Sequence, residues 1–311
     1  LIVCHLGPDG DCLGSGLALA WTLKRLAVPV QVASADGVPG NLTFLPGASE
    51  VITDPDEVRT PQVAVTMECS TLDRAGRFEP AVRGAPVIIA IDHHAELASY
   101  AHLEDWDPSA AAIGQQVAGL IDQLGVPVDR TIAICLQTAL VTDTGVFRYS
   151  NATPQALRLA ADLAERDAPV AEVVRHVYER QPASTLRLLG YALAGMSLHH
   201  GGAVAVAAVG PDMLGAAGAR PGETSGIAAV LRTIDGVRLA MTFEDDQGVV
   251  RISVRSRDGV RADRVARGLG GGGHPQAAGA DVRGSLEDTL RRALALAAIE
   301  IETAAHDEPT D

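Results

Sequence analysis

The chain is poor in aromatic side chains: two Trp, four Tyr and four Phe in 311 residues. An extended row of stacking rings for a long single strand is therefore not expected. Cysteine is also scarce. Cys4, Cys12, Cys69 and Cys135 form no CxxC pair and sit among apolar or small neighbours. They read as reduced, buried thiols of a cytoplasmic protein, which argues against a disulfide framework or a zinc site. No run of 18 apolar residues occurs, so no transmembrane helix and no membrane partner are expected. The first residues carry no signal-peptide pattern. Basic residues are few, 25 Lys and Arg against 39 Asp and Glu, for a net charge of −14. Affinity for long duplexes comes from neutralising many phosphates, so a chain this acidic is a poor candidate for gripping long duplex nucleic acid, and no such partner is expected.

What is present is a large apolar fraction, 47%, in a chain long enough for two domains. The acidic excess lies in the first two-thirds and in the last eleven residues; residues 198–300 carry twelve acids and twelve bases. Within that balanced stretch, residues 251–267 hold six arginines and two acids, enough to hold a small anion.

The order of apolar runs predicts an α/β fold with a parallel sheet. "LIVCHL", "VPVQVAS", "QVAVTMEC" and "APVIIAIDHH" are short Val/Ile/Ala runs, as in strands buried on both faces. Between and after them, "SGLALAWTLKRLA", "AAAIGQQVAGLIDQLG", "RTIAICLQTALVTDTG" and "TPQALRLAADLAERDA" have helical spacing. This domain is expected over residues 1–180. A helical linker follows at 181–197, entered through Pro182. A second, smaller α/β domain is expected over 198–300, with a hairpin at Asp246–Gly248, then an acidic, frayed tail at 301–311.

Ligands of open α/β sheets sit beyond the carboxyl ends of the strands. The first run ends at His5, with Asp9 and Asp11 in the next loop. The third ends at Glu68 and the fourth at Asp92, His93 and His94; Asp143 closes an apolar helix. Each piece alone has an ordinary explanation: Asp-Gly-Asp as a turn, paired histidines as surface residues (as with His199–His200), Glu68 as a solvated acid. Their joint placement at element ends decides for one site. So many carboxylates repel unless cations join them. Carboxylate and imidazole without thiolate suit two Mn²⁺ or Mg²⁺ ions, with Zn²⁺, Co²⁺ or Fe²⁺ as further options. A bridged pair of such ions is the arrangement of two-metal phosphoryl hydrolysis.

"HLGPDGDCLGS", "ECSTLDRAG", "AIDHH" and "TDTGVFRYSN" resemble the four ordered motifs of the DHH phosphoesterase family, and "RSRDGVRADRVARGLGGGGHPQAAG" resembles its associated C-terminal domain. The resemblance spans nearly the whole chain and is strongest to the standalone nanoRNase and pAp-phosphatase type, including enzymes acting on cyclic di-AMP and pApA. It implies that His5 and Asp9 bind one metal and that Asp11, His93 and Asp143 bind the other. It implies that Glu68 bridges them, at a position where the family usually has Asp. It further implies Asp92 as support or outer ligand, and His94 as a donor to the scissile phosphate or leaving oxygen. Arg148 is a candidate substrate contact. In the second domain, backbone N–H groups of Gly271, Gly272 and Gly273 would meet a terminal phosphate. His274 would add a donor. Arg255 and Arg257, alternating along one strand, would face it from the same side.

These roles place the active site in a cleft between the two domains. A metal wall opposite a phosphate reader favours short substrates. The expected activity is a Mn²⁺-dependent phosphodiesterase releasing mononucleotides from pApA, other dinucleotides and nanoRNA, and opening cyclic di-AMP. Removal of the 3′-phosphate of pAp is the alternative. A manganese-type inorganic pyrophosphatase fits the GGGH signature poorly, and only Glu68 favours an inactive nucleotide-sensing module. The resemblance alone suggests a homodimer.

Overall fold

The computed structural model describes residues 1–224, 226–246 and 248–306. The chain divides into two compact units, Leu1–Arg180 and Gln181–Asp311.

The first unit contains β1 (Ile2–Cys4), α1 (Gly10–Arg25), β2 (Val32–Ser34), β3 (Val63–Met67), α2 (Glu79–Arg83), β4 (Val87–Asp92), β5 (Leu103–Trp106), α3 (Ile113–Gln123), α4 (Arg130–Asp143), α5 (Pro154–Glu165) and α6 (Val170–Val177). Its five strands are all parallel, in the order β2-β1-β3-β4-β5. Alternation puts Ile2, Cys4, Val65 and Met67 into one core, under α1, α3 and α4. Val3, Ala64 and Ile88 enter a second core with Phe78 and Val82 on the opposite face. α1 and α4 meet backbone to backbone. A Cβ on Gly14 would lie 2.4 Å from the carbonyl oxygen of Cys135, so only glycine permits this approach. That contact carries the end of α4, and with it Asp143, to the start of α1. Thr153 caps α5 by accepting from Ala156 N, with Pro154 at the first helical position. β5 has no counterpart among the predicted strands. Its residues, Leu103, Glu104, Asp105 and Trp106, are all exposed, so this edge strand shows no apolar run.

The second unit contains α7 (Ala183–Ala194), β6 (Ser197–His199), β7 (Val204–Val209), α8 (Pro211–Ala217), α9 (Ile227–Leu231), β8 (Leu239–Asp246), β9 (Val249–Ser256), α10 (Ala262–Gly268), β10 (Gly272–His274), β11 (Ala277–Arg283) and α11 (Leu286–His306). The sheet order is β10-β11-β9-β8-β7-β6, antiparallel except for β7 beside β8. α10 and α11 cover one face, and α7, α8 and α9 the other. The stretch read as a linker thus includes α7, whose Leu188 and Ala192 are buried against this sheet. The stretch read as a tail starts inside α11; residues 307–311 lie outside the described residues, as does Gln247 of the expected hairpin. Among the described residues no helix is long and apolar enough to cross a membrane.

Two neighbouring glycines of β10 and its approach differ sharply. A Cβ on Gly271 would lie 2.0 Å from the carbonyl oxygen of Gly279, whereas one on Gly272 meets nothing within 4 Å. Gly271→Ala is therefore expected to cost about 1–3 kcal/mol by forcing β10 and β11 apart. Gly272→Ala is expected to cost less than about 1 kcal/mol. Denaturant melts of the two variants check this contrast.

Candidate active site

His5 follows β1 directly. Its Nδ1 lies 2.7 Å from the carbonyl oxygen of Leu6 and 3.0 Å from the Arg74 guanidinium, so Nδ1 is engaged there and Nε2 is turned inward. The Arg74 guanidinium sits beside the same carbonyl, at 3.4 Å. His93, just past β4, is fixed the same way: Nδ1 donates to the carbonyl of Ala110 at 3.0 Å. Both imidazoles therefore present Nε2, as metal-binding histidines held by backbone carbonyls do.

Glu68 lies between them. It follows β3 with φ +53, a left-handed conformation costly for a side chain of this size, pinned by a bond from its N–H to Ile91 O at 3.0 Å. This turn sends its side chain into the protein, where it is 1% exposed. Oε1 is 3.2 Å from His93 Nε2 and Oε2 is 3.8 Å from His5 Nε2. Among the described residues Oε2 has no hydrogen-bond partner although it is buried.

The N-terminus of α1 supplies two acids. Asp9 is its cap and accepts from the N–H groups of Asp11 and Cys12. Its Oδ1 stands 3.9 Å from His5 Nε2. Asp11 is fully buried. Its Oδ1 accepts from Ser15 Oγ at 2.9 Å and Gly114 N at 3.0 Å, and Oδ2 accepts from Ile113 N at 2.7 Å. A carboxylate offers about four lone-pair positions, so the one left over is on Oδ2, the oxygen 3.7 Å from His93 Nε2. Asp11 thereby also caps α3, whose N-cap Ala112 has no side chain for the task.

Asp143 ends α4, with Oδ2 3.9 Å from His93 Nε2. The chain then makes three successive left-handed residues, Gly145, Val146 and Phe147. This compact turn returns Asn151 to donate to Asp143 Oδ2 at 3.2 Å. Ligand atoms of Asp11, His93 and Asp143 all lie within 4.8 Å of one another, as do those of His5, Cys12 and Glu68.

Burial and like charge set the electrostatics of the cluster. Burial, with the neighbouring Asp143 and Asp9, pushes Asp11 from its ordinary 3.8 up to about 8 against the pull of His93. Burial and Asp9 take Asp143 to about 6. Burial, then Asp9 and Asp11, raise Glu68 well above the carboxylate range. Burial works to lower His93, but Glu68, Asp143 and Asp11 together raise it well above its ordinary value. Burial holds His5 down.

Four acids facing two inward-turned Nε2 atoms, with one orphaned buried oxygen on Glu68, fit a pair of divalent cations. His5, Asp9 and Glu68 Oε2 would hold one; Asp11, His93, Asp143 and Glu68 Oε1 the other. Cys12 lies against the first group, but its thiol donates to Met67 O at 3.3 Å. Burial raises the thiol's pKa, which keeps it protonated and disfavours it as a thiolate ligand.

Asp92 closes β4 and is turned to His94. Its Oδ1 accepts from both the backbone N–H and Nδ1 of His94, each at 2.7 Å. Burial would raise Asp92, but these bonds and the His94 ring outweigh it and hold the carboxyl below its ordinary value. Nε2 is then the His94 nitrogen not engaged by Asp92. Arg148 donates from Nε to the Gly145 carbonyl at 2.7 Å, bracing the turn after Asp143.

In the second unit, β9, β11 and β10 bring Arg255, Ala277 and His274 into one row across the sheet. Only an alanine side chain separates arginine from histidine. Arg257 lies just past β9, which ends at Ser256, and its guanidinium is bonded to the carbonyls of Val237 and Ile234 at 2.6 and 3.1 Å. The Gly271 N–H is also spent, on Ala266 O at 2.8 Å. The sequence does not mark Ser15, Asn151 or the carbonyls of Leu6 and Ala110 as parts of the site: Ser15 and Asn151 lie inside the quoted motifs without a distinguishing residue pattern, and carbonyls leave no signal.

The chain is similar to known proteins. The DHHA1 domain matches residues 201–302. A bifunctional oligoribonuclease and PAP phosphatase NrnA of Thermus thermophilus is 37% identical, over 94% of this chain and 87% of the relative. The protein of the same name from Bacillus subtilis is 27% identical, over 89% of this chain and 87% of its own length. The crystal structure of an exopolyphosphatase-related protein from Bacteroides fragilis has the same fold, with a TM-score of 0.89 at 24% identity over 98% of this chain and 93% of the other. The chain belongs to the DHH phosphoesterase family, hydrolases dependent on divalent metal ions, and within it to the standalone nanoRNase and pAp-phosphatase type.

Proposed function

We propose that this enzyme is a Mn²⁺-dependent phosphodiesterase that releases mononucleotides from short RNA and from linear dinucleotides such as pApA, and opens cyclic di-AMP. The observation that carries the reading is Glu68, with one carboxylate oxygen toward His5 and the other toward His93. Two divalent ions held there would acidify a water and neutralise charge on the phosphate. The remaining work falls to the chain's own side chains. Asp92 fixes the His94 tautomer, so that Nε2 meets a phosphate oxygen or the leaving oxygen. Asn151 and Ser15 hold Asp143 and Asp11 in place. Arg255, His274 and the Gly272–Gly273 backbone are our candidates for a terminal phosphate, with Arg148 a candidate on the metal side; Arg257 is left out because its guanidinium is occupied. The names of the two curated relatives favour a second activity on the same site, removal of the 3′-phosphate of pAp. Four buried, free cysteines support a reducing, cytoplasmic setting.

The test is incubation with Mn²⁺ and a panel of pApA, cyclic di-AMP, pAp, RNAs of graded length and pyrophosphate. Turnover of pApA, falling with RNA length, is expected. No turnover of any nucleotide, with metal content verified, would sink the reading.

A further inference from the structure

We propose that Trp106 is a specificity-determining residue that stacks on a nucleobase of the substrate. Trp106 ends β5, the edge strand, and is 45% exposed. The other tryptophan, Trp21, is spent on packing, with its indole bonded to Pro46 O, Lys24 over its ring and Gly47 against it. The register pairs Trp106 with Asp92 on the neighbouring strand, so their side chains leave the same face of the sheet at its carboxyl edge. Its indole N–H donates to the carbonyl of His94 at 2.8 Å, which ties the ring to the residue assigned to the phosphate.

The strand end is rigid. Asp107 N donates to Asp92 O at 3.1 Å, and Gln116 Nε2 donates to Asp105 O at 2.7 Å and reaches Asp92 O at 3.4 Å. The ring is therefore held in place before substrate arrives, which lowers the cost of binding. The surrounding charge selects what it can bind. Glu104, Asp105 and Asp107 are exposed beside it and repel phosphate, whereas an uncharged base stacks on an indole at no such cost. One ring accommodates one base, which suits a substrate of very few nucleotides and explains how a chain with ten aromatic residues can still read a base.

The proposal rests on the nucleotide reading above, and the experiment separates the two. Trp106→Ala is expected to raise KM for pApA about 10–100-fold, with the smaller effect on kcat. Trp106→Phe should recover most of the loss. Wild type should prefer pApA to an analogue whose sugars carry no base, and Trp106→Ala should erase most of that preference. In a Trp21→Phe background Trp106 is the single tryptophan, and titration with AMP should quench its fluorescence without any turnover. An unchanged KM for Trp106→Ala in an otherwise active enzyme overturns the proposal but leaves the nucleotide reading standing. Equal losses on the base-bearing and base-free substrates, or absence of quenching, overturn it as well. So does a changed oligomeric state at constant KM, which would make Trp106 a contact between chains. A wild type inactive on every nucleotide defeats the nucleotide reading itself, and this inference with it.

Discussion

His93→Gln is expected to lower turnover of a dinucleotide at least about 10³-fold while the protein still folds. Among the described residues no other side chain in the site is so placed. Its Nε2 is within 3.2 Å of Glu68, 3.7 Å of Asp11 and 3.9 Å of Asp143, so it faces three of the carboxylates at once. Glutamine keeps much of the volume and a polar end, but not a nitrogen lone pair aimed into the cluster by a bond to Ala110 O. The three acids would then have to hold the same cation with one donor fewer, and their mutual repulsion would be less well screened. The comparison to make is kcat for pApA alongside bound-metal content and the thermal melt. Loss of activity with an unchanged melt and reduced metal content supports the assignment. Full activity at full metal occupancy would show that the ions lie elsewhere.

The metal-free protein is expected to lose stability as pH rises from about 4 to about 8, and divalent metal to restore it. A group whose pKa is higher folded than unfolded holds its proton more tightly in the native state. The stability it contributes is present below its unfolded value and lost as pH rises through its folded one. Asp11 moves from 3.8 to about 8 and Asp143 from 3.8 to about 6, so both lose stability within this window. Glu68 and His93 are raised too and act in the same sense. His5, held below its ordinary value by burial, opposes them when it must protonate near and below pH 6.5. Cation binding requires the carboxylates bare, so it competes with these protons and is stronger at high pH. The gain in Tm on adding saturating Mn²⁺ should therefore be larger at pH 8 than at pH 6, by about 5 °C or more. Calorimetry at pH 6 should show protons released on binding. An equal or smaller gain at pH 8 would mean that the clustered acids are not where the metal binds.

Much of the site's composition is legible in the sequence. His5, Glu68, Asp92 and His93 are readable because each follows or closes a short apolar run, and parallel strands deliver their ends to one edge. Asp143 is readable because it closes an apolar helix. β5 was not readable: Leu-Glu-Asp-Trp has neither an apolar run nor a turn signal, and it is a strand only because β4 offers it a hydrogen-bonding edge. Trp106 is equally unmarked, because its place depends on that edge. Arg257 is legible as one of a run of arginines, but the capture of its guanidinium by the carbonyls of Val237 and Ile234 is not, since those carbonyls come from a distant segment.

The order and chemistry of the donors are local properties, written into the residues that flank each strand and helix, and the sequence by itself determines them. Their grouping is not local. His5 and Asp143 lie in one cluster because β1, β3 and β4 are hydrogen-bonded neighbours and because Gly14 lets α1 and α4 touch. Only the tertiary structure decides that Glu68 takes a left-handed backbone and turns one oxygen to each histidine. Only it decides that Asp11 spends three lone-pair positions on α3 and Ser15 and keeps one for the site. Hydrogen bonds and close packing between distant segments set those orientations, and no spacing within a single segment encodes them.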